Sequence, residues 1–262
     1  MIQFLARRRV SLFVFAAFTA AGLVSSTATA SEKSTTARRP LALVYQGPGG
    51  CTRWKCNEAA AAAALDAGLD VKYVTPAKLT SEVFEGASLW VQPGGNAITV
   101  AQKIGPQGLK LIRNFVKNGG AYVGFCAGAF LADTIVDDDG KVRGLGLLPV
   151  ETADYPVDSG DAGIPLVINW LGHKRTLFFN GGGYFKTHGV DRSSDFSVLA
   201  WFPNGDAATL ETAYGKGGVV VTGAHPEAYE QWKADAGFRD PDGNDRFLAV
   251  DMVKRALRLS LP

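Results

Sequence analysis

The sequence has little excess of positive charge, and this argues against a nucleic-acid partner. It contains 27 Lys and Arg against 25 Asp and Glu. Three of the basic residues are the arginines at 7–9, so the rest of the chain has 24 basic and 25 acidic residues. Nucleic-acid binders normally show a basic face. The cluster His173-Lys174-Arg175 is predicted instead to be the polar tip of a hairpin, because such charges usually lie at the surface.

The sequence also lacks an apolar run long enough to cross a membrane. The run Val10–Val24 is only fifteen residues long, whereas a spanning helix needs roughly 20. The arginines precede this run, and the small residues Ala28-Thr29-Ala30 follow it, as in a secretory signal. We therefore predict a signal peptide over residues 1–30, cleaved near Ala30, and a periplasmic or secreted protein without a stable membrane span. A membrane anchor is the alternative.

The remaining chain suits a single domain. Residues 31–39 are charged and rich in Ser and Thr, which predicts a linker. Residues 40–262 have the length of one domain with a sizeable core.

Cysteine is scarce, and each of the three has a predicted role. Export implies a compartment where disulfides persist, and Cys51 and Cys56 are close enough in sequence for a local disulfide. Cys126 is then an odd thiol, which invites a functional explanation. No nearby histidine completes a zinc ligand set with Cys51 and Cys56, so we predict no metal site and no cofactor.

Alternating apolar runs and helical patterns predict an α/β fold with a mostly parallel, doubly wound, flavodoxin-like sheet and flanking helices. The predicted strands of the first half are Leu41–Tyr45, Val71–Val74, Leu89–Gln92 and Ala121–Phe125, with helices over Asn57–Ala67 and from Pro106 onward. The second half predicts an antiparallel excursion and a return to the sheet. Its strands are Val167–Trp170, Thr176–Phe179, Ser197–Phe202, Thr209–Tyr214 and Gly218–Val221, followed by an amphipathic helix, Asn244–Leu259, with Phe247, Val250, Val253 and Leu257 at helical spacing.

The motif Gly124-Phe125-Cys126-Ala127-Gly128 stands directly after a predicted strand and before a predicted helix. A nucleophile at such a tight turn sits in a strained backbone conformation, and small residues on either side avoid collisions. The N–H groups and dipole at the start of the helix favour thiolate over thiol. Taken alone, Cys126 could equally be an ordinary buried cysteine.

Two further motifs supply partners for a thiol nucleophile. His225 follows the apolar strand Gly218–Val221, and Glu227 stands two residues later, so they suit a general base and the acid that orients it. Gly94 and Gly95 follow another strand, where their backbone and the N–H of Ala127 could form an oxyanion hole.

These motifs in this order resemble the class I glutamine amidotransferase-like superfamily, and most closely the biotin-protein-ligase N-terminal family. The closer resemblance rests on Val44–Gly49, Gln92–Gly95, Gly124–Phe130 and Asn180–Phe185, and it covers roughly residues 40–260. It implies a Cys126–His225–Glu227 triad that attacks a small amide, peptide or acyl compound, forms a thioester and releases it to water.

Two departures from the resemblance shape the expected activity. Amidotransferases usually carry a polar residue where this chain has Phe130, and an apolar ring there changes the amide-binding pocket, which argues against glutamine as the substrate. The sequence shows neither a synthetase domain that would receive ammonia nor the basic Gly-Arg-Gly-type loop that a biotin ligase needs. We therefore expect that the protein is not itself a biotin ligase. Candidates for lining the pocket are Gly49, Phe130 and Tyr184, and also Trp54, although core packing explains aromatic side chains more often.

Two other functions remain open at this point. The first is a non-catalytic ligand- or protein-binding domain that keeps the turn at Cys126. The second is a redox role for Cys126 with Cys51 or Cys56 as the resolving thiol, since loops converge at the sheet edge in such folds.

Overall fold

The structure is a computed structural model and describes residues 38–137, 139–190 and 196–260. The predicted signal peptide, residues 1–30, and residues 31–37 of the predicted linker lie outside the described residues. No helix in the described ranges combines the length and the apolar character that a membrane crossing requires.

The elements alternate as predicted in the first half of the chain and become mostly strands in the second. In chain order they are β1 (Leu41–Tyr45), α1 (Cys56–Asp66), β2 (Asp70–Val74), β3 (Ala87–Gln92), α2 (Ala97–Lys117), β4 (Ala121–Phe125), α3 (Ala127–Ala132), β5 (Thr152–Asp154), β6 (Ile164–Trp170), β7 (His173–Phe179), β8 (Gly183–Phe185), β9 (Phe196–Trp201), β10 (Ala207–Tyr214), β11 (Gly217–Thr222), α4 (Glu230–Asp235) and α5 (Arg246–Leu259).

The sheet confirms the predicted fold class. Its strand order is β2-β1-β3-β4-β11-β10-β9-β6-β7. The first five strands of this order run parallel, and the pairs from β11 to β7 are antiparallel. Short strands β5 and β8 pair with each other beside β10. The parallel strands are covered on both faces, by α1 and α5 on one and by α2 and α3 on the other. Burial on both faces explains why β4 and β11 have almost no polar residues.

Helix α2 begins nine residues earlier than predicted. The Asn96 side chain accepts a hydrogen bond from the Thr99 N–H at 2.8 Å and caps the N-terminus. Gly105, at φ 69°, breaks the helix just before Pro106. The helix predicted from Pro106 is therefore only the second of two segments, because a glycine here takes a conformation that breaks the regular helix.

The prediction that His173-Lys174-Arg175 forms the polar tip of a hairpin is confirmed for the hairpin and for the exposed His173 and Lys174, but the turn is shorter than expected. The turn is only Leu171 and Gly172, both at positive φ (47° and 87°), as two-residue hairpin turns require. Arg175 lies within β7 and donates two hydrogen bonds to the carboxylate of Asp245, at 2.7 and 2.9 Å. The triplet is thus part of a strand, and its arginine is an ion-pair partner.

The predicted buried face of the last helix is displaced by about one position. Phe247 is 56% exposed, and the Arg175 guanidinium lies 5.1 Å from its ring centroid. The residues of α5 that enter the core are Leu248, Ala249, Met252, Val253 and Ala256.

Candidate active site

Cys126 occupies the turn between β4 and α3 in a strained conformation. Its φ of 49° and ψ of −106° lie outside the regions that residues with a side chain ordinarily adopt. The Cys126 N–H donates to the Thr222 carbonyl of β11 at 2.8 Å, which fixes the turn to the neighbouring strand. The side chain is largely buried, and its thiol lies 3.6 Å from the Asn180 carbonyl oxygen.

The glycines on either side of Cys126 are required by close backbone contacts. A Cβ atom on Gly124 would collide with the Gly128 carbonyl, and a Cβ on Gly128 would collide with the Gln92 carbonyl. The sharp turn is therefore possible because β4, α3 and β3 approach one another without side chains between them.

His225 and Glu227 form a buried pair beyond the end of β11. The His225 Nδ1 lies 2.8 Å from the Glu227 Oε1, and the two residues are 4% and 0% exposed. The backbone N–H of His225 donates to the Phe178 carbonyl at 3.0 Å, which anchors this loop to β7. Because β11 lies beside β4 in the sheet, His225 and Cys126 emerge from the same edge.

Gly94 lies directly against both His225 and Cys126. An added Cβ atom on Gly94 would stand 2.7 Å from the His225 Cε1, 3.6 Å from the Cys126 Cβ and 3.5 Å from the Cys56 Sγ. The absence of a side chain at Gly94 thus lets the imidazole approach the cysteine turn.

The surroundings of His225 favour its protonated form. Burial lowers the pKa of the imidazole, but the charge of Glu227 and the sulfur of Cys126, as charges and hydrogen-bond partners, outweigh burial and raise the pKa of His225 from 6.5 to about 10. A protonated imidazole beside a sulfur is the arrangement that stabilises a reactive thiolate.

Aromatic rings enclose the other side of His225. Phe178 and Trp232 make edge contacts with the imidazole, with ring centroids 5.7 and 5.6 Å away. Trp54 lies behind them, 5.6 Å from Phe178, so it packs in this cluster and is not among the residues that line the cleft. The cluster excludes water from the His225–Glu227 pair, which strengthens their interaction.

Gly95 brings a second loop onto the site. It forms an isolated antiparallel bridge with Gly50, and the Asn96 N–H donates to the Gly49 carbonyl at 2.7 Å. Gly95 has a φ of 146°, and an added Cβ would overlap the Gly49 carbonyl oxygen. Gly49 therefore packs behind Gly95 and does not line the pocket.

Cys51 and Cys56 are joined by a disulfide in the structure, with their Cα atoms 5.5 Å apart. Cys126 is a free, buried thiol. The disulfide closes the loop that leads into α1 and carries Trp54.

A cleft of about 960 Å³ opens on Cys126. Gly95, Ala127 and Phe130 line it. Tyr184 packs against the core on the α1 and α5 side of the sheet, so of the two roles open for it core packing is the observed one. The cleft continues past Phe130 to several acidic side chains that sequence reasoning missed.

One carboxylate cluster has the spacing of a metal site but already has cationic partners. The carboxylate oxygens of Asp240, Asp242 and Asp245 lie within 4.8 Å of one another. The buried Lys233 ammonium pairs with Asp240 and Asp245, and Arg175 also pairs with Asp245. These contacts explain the cluster as an ion-pair network.

The resemblance inferred from the motifs is confirmed by comparison with known proteins. The family described as "Biotin-protein ligase, N terminal" matches residues 41–140. A biotin–protein ligase of Schizosaccharomyces pombe is 29% identical over an alignment 215 residues long, which covers 73% of this chain and 33% of that protein. An uncharacterized protein of Chlamydia muridarum is 30% identical over 161 residues, 55% of this chain and 61% of its own length.

The chain therefore spans about a third of the fission-yeast ligase and less than two thirds of the chlamydial protein.

A crystal structure of a glutamine amidotransferase aligns with a TM-score of 0.56 at 18% identity, and the alignment covers 76% of this chain and 99% of that one. The fold is thus of the glutamine amidotransferase-like, flavodoxin-like type.

We expect Gly94→Ala to disturb His225 specifically. The new methyl would meet the imidazole at 2.7 Å, so the ring must leave its present position and its contacts with Cys126 and Glu227 should weaken. NMR titration of the His225 ring should then show a pKa lower than in the unsubstituted protein. Gly50→Ala is the control, because its methyl would meet only the Gly47 carbonyl oxygen, at 3.1 Å. An unchanged His225 titration in Gly94→Ala would contradict this account of the site.

Stability should depend on pH through His225. Because the folded pKa is about 10 and the ordinary value is about 6.5, the imidazole stabilises the fold fully below about pH 6.5. This contribution is lost as pH rises towards 10. Urea unfolding at pH 7 and pH 9 should show a loss on the order of 1 kcal/mol or more that is absent in His225→Gln. The exposed His173 supplies the control variant, His173→Gln. The same pH dependence in all three proteins would refute this prediction.

Proposed function

We propose that this chain is an exported cysteine-dependent hydrolase that acts on a small amide, peptide or acyl compound. The observation that carries the proposal is the strained Cys126 turn facing the buried His225–Glu227 pair across Gly94. A strained backbone persists only where surrounding structure enforces it, and such positions concentrate at active sites.

In the proposed reaction the Cys126 sulfur attacks the carbonyl carbon of the substrate. The S–C bond forms, the carbonyl becomes a tetrahedral oxyanion, and the thiol proton resides on His225. Collapse of this intermediate breaks the bond to the leaving group, which takes the proton from His225. Water then attacks the thioester with His225 as the base, and the acid is released while Cys126 regains its proton.

The remaining residues of the site have supporting roles in this scheme. Glu227 accepts a hydrogen bond from the His225 Nδ1 and fixes the imidazole orientation. The backbone of Gly94 and the N–H groups of Gly95 and Ala127 would stabilise the oxyanion. Both Gly95 and Ala127 line the cleft that opens on Cys126, which supports this assignment.

Export is proposed from the signal-like residues 1–30 and from the Cys51–Cys56 disulfide, since disulfides persist in oxidising compartments. Phe130 lines the cleft, and its apolar ring offers no polar partner to a carboxamide. This favours an acyl or peptide substrate over free glutamine.

Hydrolysis of p-nitrophenyl butyrate tests the proposal. We expect Cys126→Ser and His225→Gln each to lower kcat/KM by at least about 100-fold, the usual effect of removing a nucleophile or a general base. His173→Gln is the matched control, because His173 is exposed on β7, and it should leave kcat/KM unchanged. Intact mass should reveal a butyryl adduct on the unsubstituted protein but no thioester on Cys126→Ser. Equal rates in all four proteins would contradict a cysteine hydrolase.

A redox function is the second candidate, and one observation favours it. The Cys56 sulfur and the Cys126 Cβ both lie close to Gly94: they are 3.5 and 3.6 Å from the position that a Cβ atom on Gly94 would occupy. In this alternative the Cys126 thiolate attacks the Cys56 sulfur, the Cys51–Cys56 bond breaks, and Cys51 leaves as a thiolate. Non-reducing peptide mapping that finds Cys126 linked to Cys56 would support this alternative, and a free Cys126 would support the hydrolase.

A further inference from the structure

We propose that the cleft selects acyl compounds that carry a primary amine or guanidinium, held by carboxylates at the end of the cleft remote from Cys126. This inference rests on the proposed acyl chemistry at Cys126 and names the substrate class of that site.

The cleft has a nucleophile at one end and acidic side chains at the other. Cys126 precedes α3 and Asp133 follows it, and both line the cleft. Seven residues at the helical rise put the two ends roughly 10 Å apart. A substrate that reaches from one to the other therefore has an arm of several bonds between its carbonyl and its second polar group.

Asp133 is the carboxylate held most firmly in place. Its two oxygens accept hydrogen bonds from the backbone N–H groups of Thr134 and Thr152, so its orientation is set by the fold. Burial raises the pKa of Asp133, while these backbone hydrogen bonds act in the opposite direction. A cation arriving from the cleft would offset the cost of burying this carboxylate.

A polar atom without a partner lies beside Asp133. The hydroxyl oxygen of Thr152 is buried and has no hydrogen-bond partner within the described ranges, and Thr152 lines the cleft. Buried hydroxyl groups are normally satisfied by protein, water or ligand. An ammonium or guanidinium group bound at Asp133 could donate to this hydroxyl oxygen.

The charge at this end of the cleft is predominantly negative. Asp137 and Glu151 also line it, whereas Lys186 is the one basic residue among the described lining residues. Lys186 pairs with Glu151 at 3.0 Å, which leaves the carboxylates in excess. A negatively charged cleft raises the local concentration of cationic ligands and repels anionic ones.

The middle of the cleft suits an apolar spacer. Phe130 stands on α3 between Cys126 and Asp133, and Leu148 and Val150 also line the cleft. An acyl chain with a terminal cation would place its methylene groups against these side chains and its charge beside Asp133. The cation would then stand about 7–10 Å from the reacting carbonyl, as the length of α3 dictates.

Thiol labelling with three reagents of matched length measures this charge selection without requiring turnover. The probes are 6-aminohexyl, hexyl and 5-carboxypentyl methanethiosulfonate. The Cys126 thiolate attacks the sulfenyl sulfur, methanesulfinate leaves, and a mixed disulfide forms. Rates followed by intact mass are divided by those of 2-mercaptoethanol, an uncharged thiol. We expect the amino reagent to react with Cys126 about fivefold faster than hexyl, and the carboxyl reagent about fivefold slower.

Two variants locate the source of the selection. Asp133→Asn and Glu151→Gln should each lower the amino-to-carboxyl rate ratio by at least about twofold. The second is exposed at the cleft edge, so it remains informative if Asp133→Asn folds poorly. Glu85→Gln, an exposed carboxylate that does not line the cleft, should leave the ratio unchanged.

A ratio at or below one, or a ratio that neither cleft variant alters, would overturn the selection of cations. If p-nitrophenyl butyrate is hydrolysed but the amino-to-carboxyl rate ratio is at or below one, the hydrolase proposal stands and the proposed substrate class is wrong. If the ratio holds but no ester is hydrolysed, the cleft still selects cations and the catalytic proposal fails.

Discussion

The site depends on one backbone constraint, the strained turn that carries Cys126 from β4 into α3. A φ of 49° with a ψ of −106° is costly for a residue with a side chain, by about 1–3 kcal/mol. The packed sheet enforces it through the hydrogen bond from Cys126 to Thr222 and through contacts that leave no room for side chains at Gly124 and Gly128. The turn places the thiol at the sheet edge, where β11 delivers His225.

A second constraint holds the base in place. Glu227 is fully buried, so its carboxylate needs the His225 imidazole as a partner. The ring is packed against Phe178 and Trp232. Trp232 belongs to α4, whose neighbouring residue Lys233 is tied by ion pairs to Asp240 and Asp245. The geometry of the base is thus linked through α4 to this ion-pair network.

Local patterns predicted the parallel half of the fold and the Cys126, His225 and Glu227 motifs, because each depends on a strand and the few residues that follow it. The other contacts of the site depend on pairing between residues far apart in the sequence, which local patterns do not reveal. Phe178 reaches His225 only because the antiparallel excursion returns to this edge. The two-residue turn requires a positive φ at Leu171, and leucine is not a residue from which a positive φ is predicted. Asp133 gave no signal either, since its place in the cleft follows from the length of the short helix α3 and from its contact with Thr152.

The central claim is that His225 activates the Cys126 thiol. The direct measurement is the pH dependence of iodoacetamide alkylation of Cys126 in the folded protein and in His225→Gln. The account predicts rapid labelling of the unsubstituted protein at pH 6–7, and in His225→Gln a rate that rises only near pH 8.5, where an ordinary thiol ionises. Two identical profiles centred at about 8.5 would contradict it.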